Sequence, residues 1–187
     1  MSVTKTEPVS EETYRRLALG NTHLELHRGQ LREKPGVSVE HASALHQLQA
    51  QLYAQIDRNV FEIHPNFARL RRSADTYYIP DLVVIPAAIV RALRARPCSL
   101  DAYSDPLPFV VEIWSPSTGD YDVDEKLPAY QRRGDAEIWR IHPRERSVTV
   151  WRRMPDGTYF ESVSSAGTIL LESLPGVKID LRKLFAA

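Results

Sequence analysis

Apolar residues recur every three or four positions in the stretch after Ser38, which is the pattern of a helix with one buried face. Leu45, Leu48 and Leu52 share that face, and Ser38 is placed to cap the first turn. We therefore predict a helix from Ser38 to about Asp57. Similar patterns predict shorter helices over residues 9–18, 86–96 and 124–133 and a closing turn through residue 184.

Short runs rich in β-branched and aromatic residues predict strands between these helices. An opening hairpin is predicted to pair residues 22–26 with residues 31–33 around Gly29. Residues 71–76 and 97–108 are predicted to be loops. The other strands are predicted at residues 59–63, 66–70, 78–85, 109–114, 137–141, 147–151, 158–163 and 176–181. This order of elements predicts an α+β or mixed α/β fold, with a central mixed β-sheet flanked by helices.

The length and composition of the chain fit one globular domain. The 187 residues are 43% hydrophobic and 26% charged, which is ordinary for a soluble protein with its own core. We predict a single domain over residues 1–187. Its parts are a hairpin and helix (9–58), a core (59–141) and C-terminal strands (147–187).

Charge and cysteine content narrow the classes of function. The 24 basic and 24 acidic residues give none of the basic excess that proteins gripping a long duplex usually carry. Local arginine clusters are interpreted either as solvated faces or as parts of one phosphate-binding face. Cys98 is the only cysteine, which excludes an intramolecular disulfide and a cysteine-based zinc site. No apolar run approaches the ~20 residues of a membrane span, and residues 1–12 have no signal-peptide core, so we expect a cytoplasmic protein without a membrane partner.

Two of the predicted strands each contain one acid among apolar residues. Asp81 lies within residues 78–85, and Glu112 lies within residues 109–114. An ionised carboxylate is costly in such a strand unless a partner compensates it. If the strands are neighbours, the two acids face each other and either share a proton or bind a cation, for which Mg²⁺ is the hypothesis. The alternative for Glu112 is an edge strand that turns the side chain toward water.

A lysine and a histidine are candidates to join these acids. Lys126 follows the second strand and could neutralise the charge that develops during phosphodiester hydrolysis, or it could form a plain surface pair with Asp122 four residues earlier. Pro128 requires that the helix either begin near Asp124 or kink. His41 lies on the inward face of its helix, either as a hydrogen-bonded core histidine or beside the carboxylates.

These residues resemble the PD-(D/E)xK nuclease superfamily and, more specifically, the Uma-two-type restriction endonuclease family. The resemblance extends from about residue 9 to residue 184. The motifs that carry it are Pro80-Asp81-Leu82-Val83, Val111-Glu112-Ile113-Trp114-Ser115-Pro116-Ser117-Thr118, Asp122…Lys126…Tyr130 and Gly134…Glu137-Ile138-Trp139. Trp114 stands where other members of the family commonly have a small aliphatic residue, so it changes the wall of the site.

The resemblance implies a restriction-endonuclease-like fold and an Mg²⁺-dependent endonuclease, with Mn²⁺ as a substitute. Its expected substrate is nucleic acid, most simply DNA, and its expected assembly is a homodimer. Asp81 and Glu112 would bind the metal, Lys126 would be catalytic from the helix after the second strand, and Glu25 would lie near the pair. We add the backbone carbonyl of Ile113 as a third metal ligand, because it turns toward the same side as the Glu112 carboxylate.

Two other functions stay open on the sequence. A nuclease fold that no longer cleaves could serve as a binding or assembly module, which the neutral charge and the displaced lysine favour. A carboxylate-pair hydrolase acting on sugars is disfavoured because both acids lie in short strands beside a lysine. On residue type alone, the favoured interpretation of Glu25 is a surface strand residue.

Overall fold

The computed structural model describes residues 7–21, 23–117, 119 and 121–186. Thr22, the first residue of the predicted opening strand, and Thr118 of the second motif lie outside the described residues. In chain order the elements are α1 (Glu11–Gly20), β1 (Leu24–His27), β2 (Gln30–Glu33), α2 (Val39–Tyr53), β3 (Phe61–Pro65), β4 (Arg69–Ser73), β5 (Thr76–Tyr78), β6 (Leu82–Pro86), α3 (Ala87–Arg94), β7 (Ala102–Tyr103), β8 (Phe109–Ile113), a π-helical turn (Asp122–Lys126), α4 (Leu127–Arg133), β9 (Glu137–His142), β10 (Ser147–Arg153), β11 (Tyr159–Ser164), β12 (Thr168–Leu170), β13 (Lys178–Asp180) and α5 (Leu181–Leu184).

The strands form two main sheets and one small hairpin. The larger sheet has the order β11-β10-β9-β8-β6-β3, the smaller has the order β2-β1-β5-β4-β7, and β12 pairs with β13. Each main sheet is mixed, because β8 and β9 run parallel in the larger and β4 and β7 run parallel in the smaller. The predicted α+β class with mixed sheets and flanking helices is confirmed, although the strands are divided among more sheets than the single one expected.

The central strands β6 and β8 of the larger sheet are buried on both faces by apolar side chains. Leu82 and Phe109 point toward a cluster that contains Leu48 and Leu52 of α2 and the leucines of α5. Val83 and Val110 point the opposite way, toward a cluster that contains residues of α3 and α4. Successive side chains of a strand alternate between faces, so a strand covered on both sides is a continuous apolar run. This explains why β6 and β8 lack the alternation of a half-exposed strand.

The start of α2 agrees with the prediction, and its end does not. The Ser38 side chain accepts a hydrogen bond from the N–H of His41 and caps the helix. The last turn tightens at Ala54, whose N–H donates to the carbonyls of Ala50 and Leu52, so the helix ends at Tyr53 rather than near residue 57. Four residues of the predicted helix therefore form the turn that leads into β3.

The predicted strand 78–85 is wrong, because the chain changes sheets within it. β5 ends at Tyr78 in the smaller sheet, and β6 begins at Leu82 in the larger sheet. Pro80 has no N–H to donate to a ladder. The N–H groups on either side of it leave the strand pattern: Ile79 donates to Glu25 Oε1 over 2.7 Å, and Asp81 donates to the Val111 carbonyl over 3.0 Å. The crossing places Asp81 between the two sheets.

The observed bounds of β3 and β4 differ from the predicted ones because the turn between the two strands lies later in the chain. Asn66 has a φ of 54°, a left-handed conformation that asparagine tolerates. The turn therefore lies at Asn66, and the strands on either side of it lie further along the chain than predicted. β4 occupies part of the predicted loop 71–76, β7 lies inside the predicted loop 97–108, and β12 was not predicted.

Candidate active site

Asp81 and Glu112 lie next to each other across two central strands. β6 and β8 are antiparallel neighbours with Leu82 opposite Val111, which places Asp81 opposite Glu112. Residues that face each other across an antiparallel pair project on the same side. Both side chains are buried, and β8 lies between β6 and β9. The alternative that Glu112 faces water from an edge strand is therefore wrong.

Both oxygens of Asp81 are held by donors from three segments of the chain. Lys34 Nζ lies 2.6 Å from Oδ1, and His41 Nε2 lies 3.0 Å from Oδ2. The N–H of Ile113 donates to Oδ2 over 2.6 Å. Burial alone would raise the pKa of Asp81, but the charge of Lys34 and the hydrogen bond from His41 outweigh it and hold this pKa well below its usual range. Asp81 is therefore ionised at neutral pH.

Glu112 has the opposite electrostatic environment. The hydroxyl of Tyr130 donates to Oε1 over 2.6 Å, and Lys126 Nζ lies 3.3 Å from the same oxygen. Burial raises the pKa of Glu112 to about 8 against the opposing charge of Lys126, with the neighbouring acids Asp122 and Asp81 adding to the rise. Glu112 therefore carries a proton near neutral pH.

Lys126 occupies the centre of the cluster. Its Nζ lies 3.1 Å from Glu25 Oε1 and 3.5 Å from Asp122 Oδ1, in addition to its contact with Glu112. The pair with Asp122 is buried, so its interpretation as a surface pair is wrong. Burial lowers the pKa of Lys126, but the surrounding carboxylates outweigh this and raise it well above its usual value.

A π-helical turn aims Lys126 inward. The N–H of Leu127 donates to the carbonyl of Asp122, five residues earlier, which widens the turn by one residue. Pro128 then falls in the first turn of α4, where proline is tolerated. The helix that was predicted from residue 124 is therefore a π-turn followed by a shorter α-helix. Gly134 ends it with a φ of 81°, as a left-handed cap should.

Glu25 and His41 both lie inside the cluster rather than at the surface. Glu25 is buried, and its Oε1 accepts the N–H of Ile79 as well as contacting Lys126. His41 is buried at the start of α2 beside Asp81. The interpretation of Glu25 as an exposed strand residue is wrong. The N–H of Ile113 binds Asp81, while the metal-binding role of its carbonyl stays a prediction.

Sequence reasoning missed Lys34 and gave no role to Tyr130. Lys34 directly follows the exposed strand β2 and precedes Pro35, so its local pattern is that of a surface lysine. Its contact with Asp81 joins residues 47 positions apart, which no local periodicity reports. Tyr130 stood in the motif, but its hydroxyl contact with Glu112 depends on the packing of α4 against β8.

Three arginines of the predicted clusters bind parts of the fold other than the acids of the site. Arg69 donates to the carbonyls of Ala18 and Asn21, and Arg71 pairs with Glu11. Arg133 donates to backbone carbonyls of four residues, Arg71, Tyr103, Ser104 and Asp105. These three guanidinium groups therefore act as internal ties between segments of the fold.

The fold and the site define the class of protein. It is an α+β protein in which two opposed acids, Asp81 and Glu112, meet Lys126 of the π-helical turn between two sheets. The family model described as "Uma2: Putative restriction endonuclease" matches residues 11–182, and the chain belongs to this family. The family resemblance inferred from the motifs is confirmed, and it makes the chain a nuclease-family protein. Family membership supports nucleic acid as its binding partner.

A solved structure has the same fold. It is described as the crystal structure of a putative nuclease belonging to DUF820 from Anabaena variabilis ATCC 29413. The TM-score is 0.75 at 15% identity, over 95% of this chain and 98% of that chain. At this identity the likeness concerns the fold alone. A comparison with curated proteins gives no match, and no helix among the described residues has the length and apolar character to span a membrane.

Proposed function

We propose that the protein is an Mg²⁺-dependent endonuclease that hydrolyses phosphodiester bonds of nucleic acid, with DNA as the substrate and Mn²⁺ as a substitute ion. The observation that carries the proposal is the position of the Lys126 ammonium, 3.3 Å from Glu112, the acid that lies opposite Asp81. Hydrolysis of a phosphodiester needs a carboxylate-held cation and a positive group at the phosphate. The motifs supply the carboxylates that would hold such a cation, and they supply the positive group as Lys126. All of these residues are buried in one cluster.

The donor set suits an ion that is completed by water and phosphate. Within the described residues, no three side chains of histidine, cysteine, aspartate or glutamate are arranged to enclose a metal by themselves. Mg²⁺ is usually bound through one or two carboxylates, with waters and substrate phosphates filling the rest. Asp81, Glu112 and the carbonyl of Ile113 would hold it, and it would supply charge at the phosphate and activation of the attacking water.

The charge balance of the cluster supports a further cation. Four buried carboxylates belong to it, those of Glu25, Asp81, Glu112 and Asp122. Within the described chain their ion pairs run to two ammonium groups and one imidazole. Burial raises the pKa of Glu112, and the neighbouring acids Asp122 and Asp81 add to the rise. A divalent cation would favour the ionised form of Glu112 over the protonated one.

The other residues of the cluster position these groups. Tyr130 fixes the orientation of Glu112, while His41 and the N–H of Ile113 fix Asp81. Glu25 holds Lys126, which then faces the phosphate as the electrostatic stabiliser of the transition state.

We test this proposal with metal titration and cleavage assays on matched variants. The wild type should bind Mn²⁺ and Mg²⁺ in isothermal titration and should cleave a mixture of single- and double-stranded DNA until EDTA is added. Glu112→Gln should lose metal binding and cleavage together. Glu145→Gln is the control, because that side chain is 70% exposed, and it should keep both. Cleavage that survives in Glu112→Gln would overturn the assignment of this site.

A homodimer follows from the need to cut two strands and from the family resemblance. Light scattering that returns a particle of 21.3 kDa at micromolar concentration would contradict it. The cytoplasmic location stays a prediction that depends on cysteine content.

A second function is favoured by one observation: the site is closed around its acids. The cavity lined by Glu112, Asp122 and Tyr130 measures about 10 Å³, which is room for about one water molecule. Lys34 also holds Asp81. A nuclease fold that binds without cleaving would have these properties, and metal binding without cleavage of any nucleic acid would favour it.

A further inference from the structure

Lys34 has the contacts of a bound cation rather than those of a surface lysine. Its Nζ lies 2.6 Å from Asp81 Oδ1, 3.0 Å from Asn66 Oδ1 and 3.0 Å from the carbonyl oxygen of Ile79. An ammonium has three N–H donors, so three oxygens satisfy it completely. Carboxylate, amide and backbone carbonyl oxygens are also the protein ligands of hard divalent cations.

The two buried lysines of the cluster differ in how tightly they are held. The side chain of Lys34 is 7% exposed and that of Lys126 is 2% exposed. Lys126 lies between 3.1 and 3.5 Å from three carboxylates, whereas Lys34 makes one contact of 2.6 Å with a single carboxylate. The ammonium of Lys126 is therefore shared among three carboxylates, whereas the ammonium of Lys34 pairs with the carboxylate of Asp81 alone.

The backbone of Lys34 is fixed by a hydrogen bond, whereas its side chain is held only through the contacts of its ammonium group. The N–H of Lys34 donates to the His23 carbonyl over 2.8 Å, closing the β1–β2 hairpin. Pro35 follows and starts the segment that leads to Ser38. The ammonium thus reaches Asp81 only through its four-carbon stem. A change of rotamer there would give up the hydrogen bonds to Asn66 and Ile79 but would leave the N–H bond of Lys34 to His23 intact.

We propose that Lys34 is a resident counter-ion of the metal site, which neutralises Asp81 in the metal-free protein and leaves Asp81 Oδ1 when a divalent cation binds. The proposal rests on the metal requirement of the proposed function. Two cations cannot both occupy Oδ1 at short range, because they repel each other. Lys34 therefore sets the metal affinity by competition, and metal binding releases its ammonium from Asp81.

The test measures Mn²⁺ affinity in variants that keep the shape of the side chain but remove its charge. Lys34→Met should bind Mn²⁺ with a Kd about tenfold lower than the wild type, a change of ~1.4 kcal/mol. Lys34→Gln, which keeps a hydrogen-bond donor, is the second variant in case the first fails to fold. Lys178→Met is the control, because Lys178 is exposed, and its Kd should equal that of the wild type.

A second measurement follows Lys34 in the wild type, where folding is not in question. With isotope-labelled lysine, the side-chain NMR resonance of Lys34, assigned through Lys34→Arg, should move toward that of an exposed lysine as Mg²⁺ is added. The resonance of Lys178 should not move. A Lys34 resonance that stays unchanged while Mg²⁺ saturates the site would overturn the inference.

The outcomes separate this inference from the proposed function. Equal Mn²⁺ affinity in wild type, Lys34→Met and Lys34→Gln would overturn the role of Lys34 and leave the metal site standing. Absence of binding in the wild type and in both variants would overturn the metal requirement and the inference together. Binding in the Lys34 variants alone would support the inference in its strongest form.

Discussion

Two groups of acids in this molecule differ in how far positive groups compensate their negative charge. The active-site cluster holds Asp81 and Glu112 with two other acids, all buried. The second group, which we call the His64 cluster, consists of Glu62, His64, Arg94 and Asp101. His64 lies between the two acids, with Nδ1 3.2 Å from Asp101 and Nε2 3.3 Å from Glu62. Arg94 binds both oxygens of Glu62 over 2.9 and 2.7 Å.

The pKa directions show the difference. In the His64 cluster burial would raise the pKa values of Glu62 and Asp101, but their hydrogen bonds to His64 and other donors lower both. Burial would lower the pKa of His64, but its hydrogen bonds with the acids raise it. Two carboxylates are thus matched by two positive groups. In the active-site cluster, four buried carboxylates are paired, among the described residues, with two ammonium groups and one imidazole. Burial, with a smaller contribution from the neighbouring acids, leaves Glu112 there with a raised pKa.

The comparison teaches where to look for a ligand. A balanced group such as the His64 cluster ties β3 to α3 and to the segment before β7 and needs nothing else. An unbalanced buried group costs folding free energy, and perturbed groups of this kind concentrate at functional sites. A cation is therefore expected at Asp81 and Glu112 and not at His64.

The largest expected effect is on folding stability when each cluster loses a cation. Lys126→Met leaves three buried acids without their shared ammonium and should lower the free energy of unfolding by ~3–5 kcal/mol. The loss should fall at the lower end because Glu112 can keep its proton. Arg94→Met should cost at most ~1 kcal/mol, because the Arg94 side chain is 64% exposed. Urea unfolding in EDTA measures both, and equal losses would break the comparison.

The next effect is on cleavage. Lys126→Met should lower the rate by about 10²-fold, which is the scale of losing one electrostatic stabiliser, while Mn²⁺ binding is kept or becomes tighter. His64→Gln should leave the rate unchanged, because the His64 cluster has no place in the reaction. Single-turnover cleavage at saturating Mg²⁺ and low temperature separates the rate from stability. A comparable loss in His64→Gln would show that the two clusters are coupled.

A smaller loss of folding stability is expected when one tyrosine hydroxyl is removed beside each cluster, and the two losses should differ. Tyr130→Phe removes the shorter of the two contacts to buried Glu112 and leaves only the ammonium of Lys126 at 3.3 Å, so it should cost ~1–3 kcal/mol. Tyr103→Phe removes the donor to Asp101, whose side chain is 33% exposed. Water can replace that donor, so the expected loss is below ~1 kcal/mol. Thermal unfolding of the two variants gives the order, and a larger loss in Tyr103→Phe would contradict it.

Asp81 and Glu112 could be predicted from sequence because each interrupts an apolar run. The contact of Lys34 with Asp81 could not. The switch of sheets at Pro80 was hidden because residues on both sides of it are apolar and the two strands belong to different sheets. Lys34 comes from a hairpin far away in the chain, and its local pattern is that of an exposed residue. Glu25, His41 and Lys126 each had two interpretations until tertiary packing placed them inside.

The last expected effect is on the pH dependence of stability, where the two clusters act in the same direction for opposite reasons. The folded-state pKa of His64 is raised above its ordinary value of 6.5, since its cation is stabilised by Asp101 and Glu62. That stabilisation is fully present below pH 6.5 and is lost as pH rises through the folded-state pKa. Glu112 has its pKa raised from 4.5 to about 8, because its anion is disfavoured by burial. The folded protein therefore also holds an extra proton on Glu112. Its stability falls as the pH rises from 4.5 to about 8, the range between the two pKa values of Glu112.

Variants separate these two contributions. His64→Gln should remove only the part of the decline that lies above pH 6.5 and belongs to His64, while the part due to Glu112 remains. Glu112→Gln should remove the other part and keep the His64 part. Urea unfolding of the wild type and both variants, in EDTA at a series of pH values from 6.5 upward, gives the slopes directly. If His64→Gln keeps the full wild-type slope, then His64 is not held as a cation by its two acids, and the contrast between a balanced and an unbalanced cluster fails. If instead each variant removes its own share, Glu112 holds a proton in the folded protein that the proposed divalent cation would have to displace.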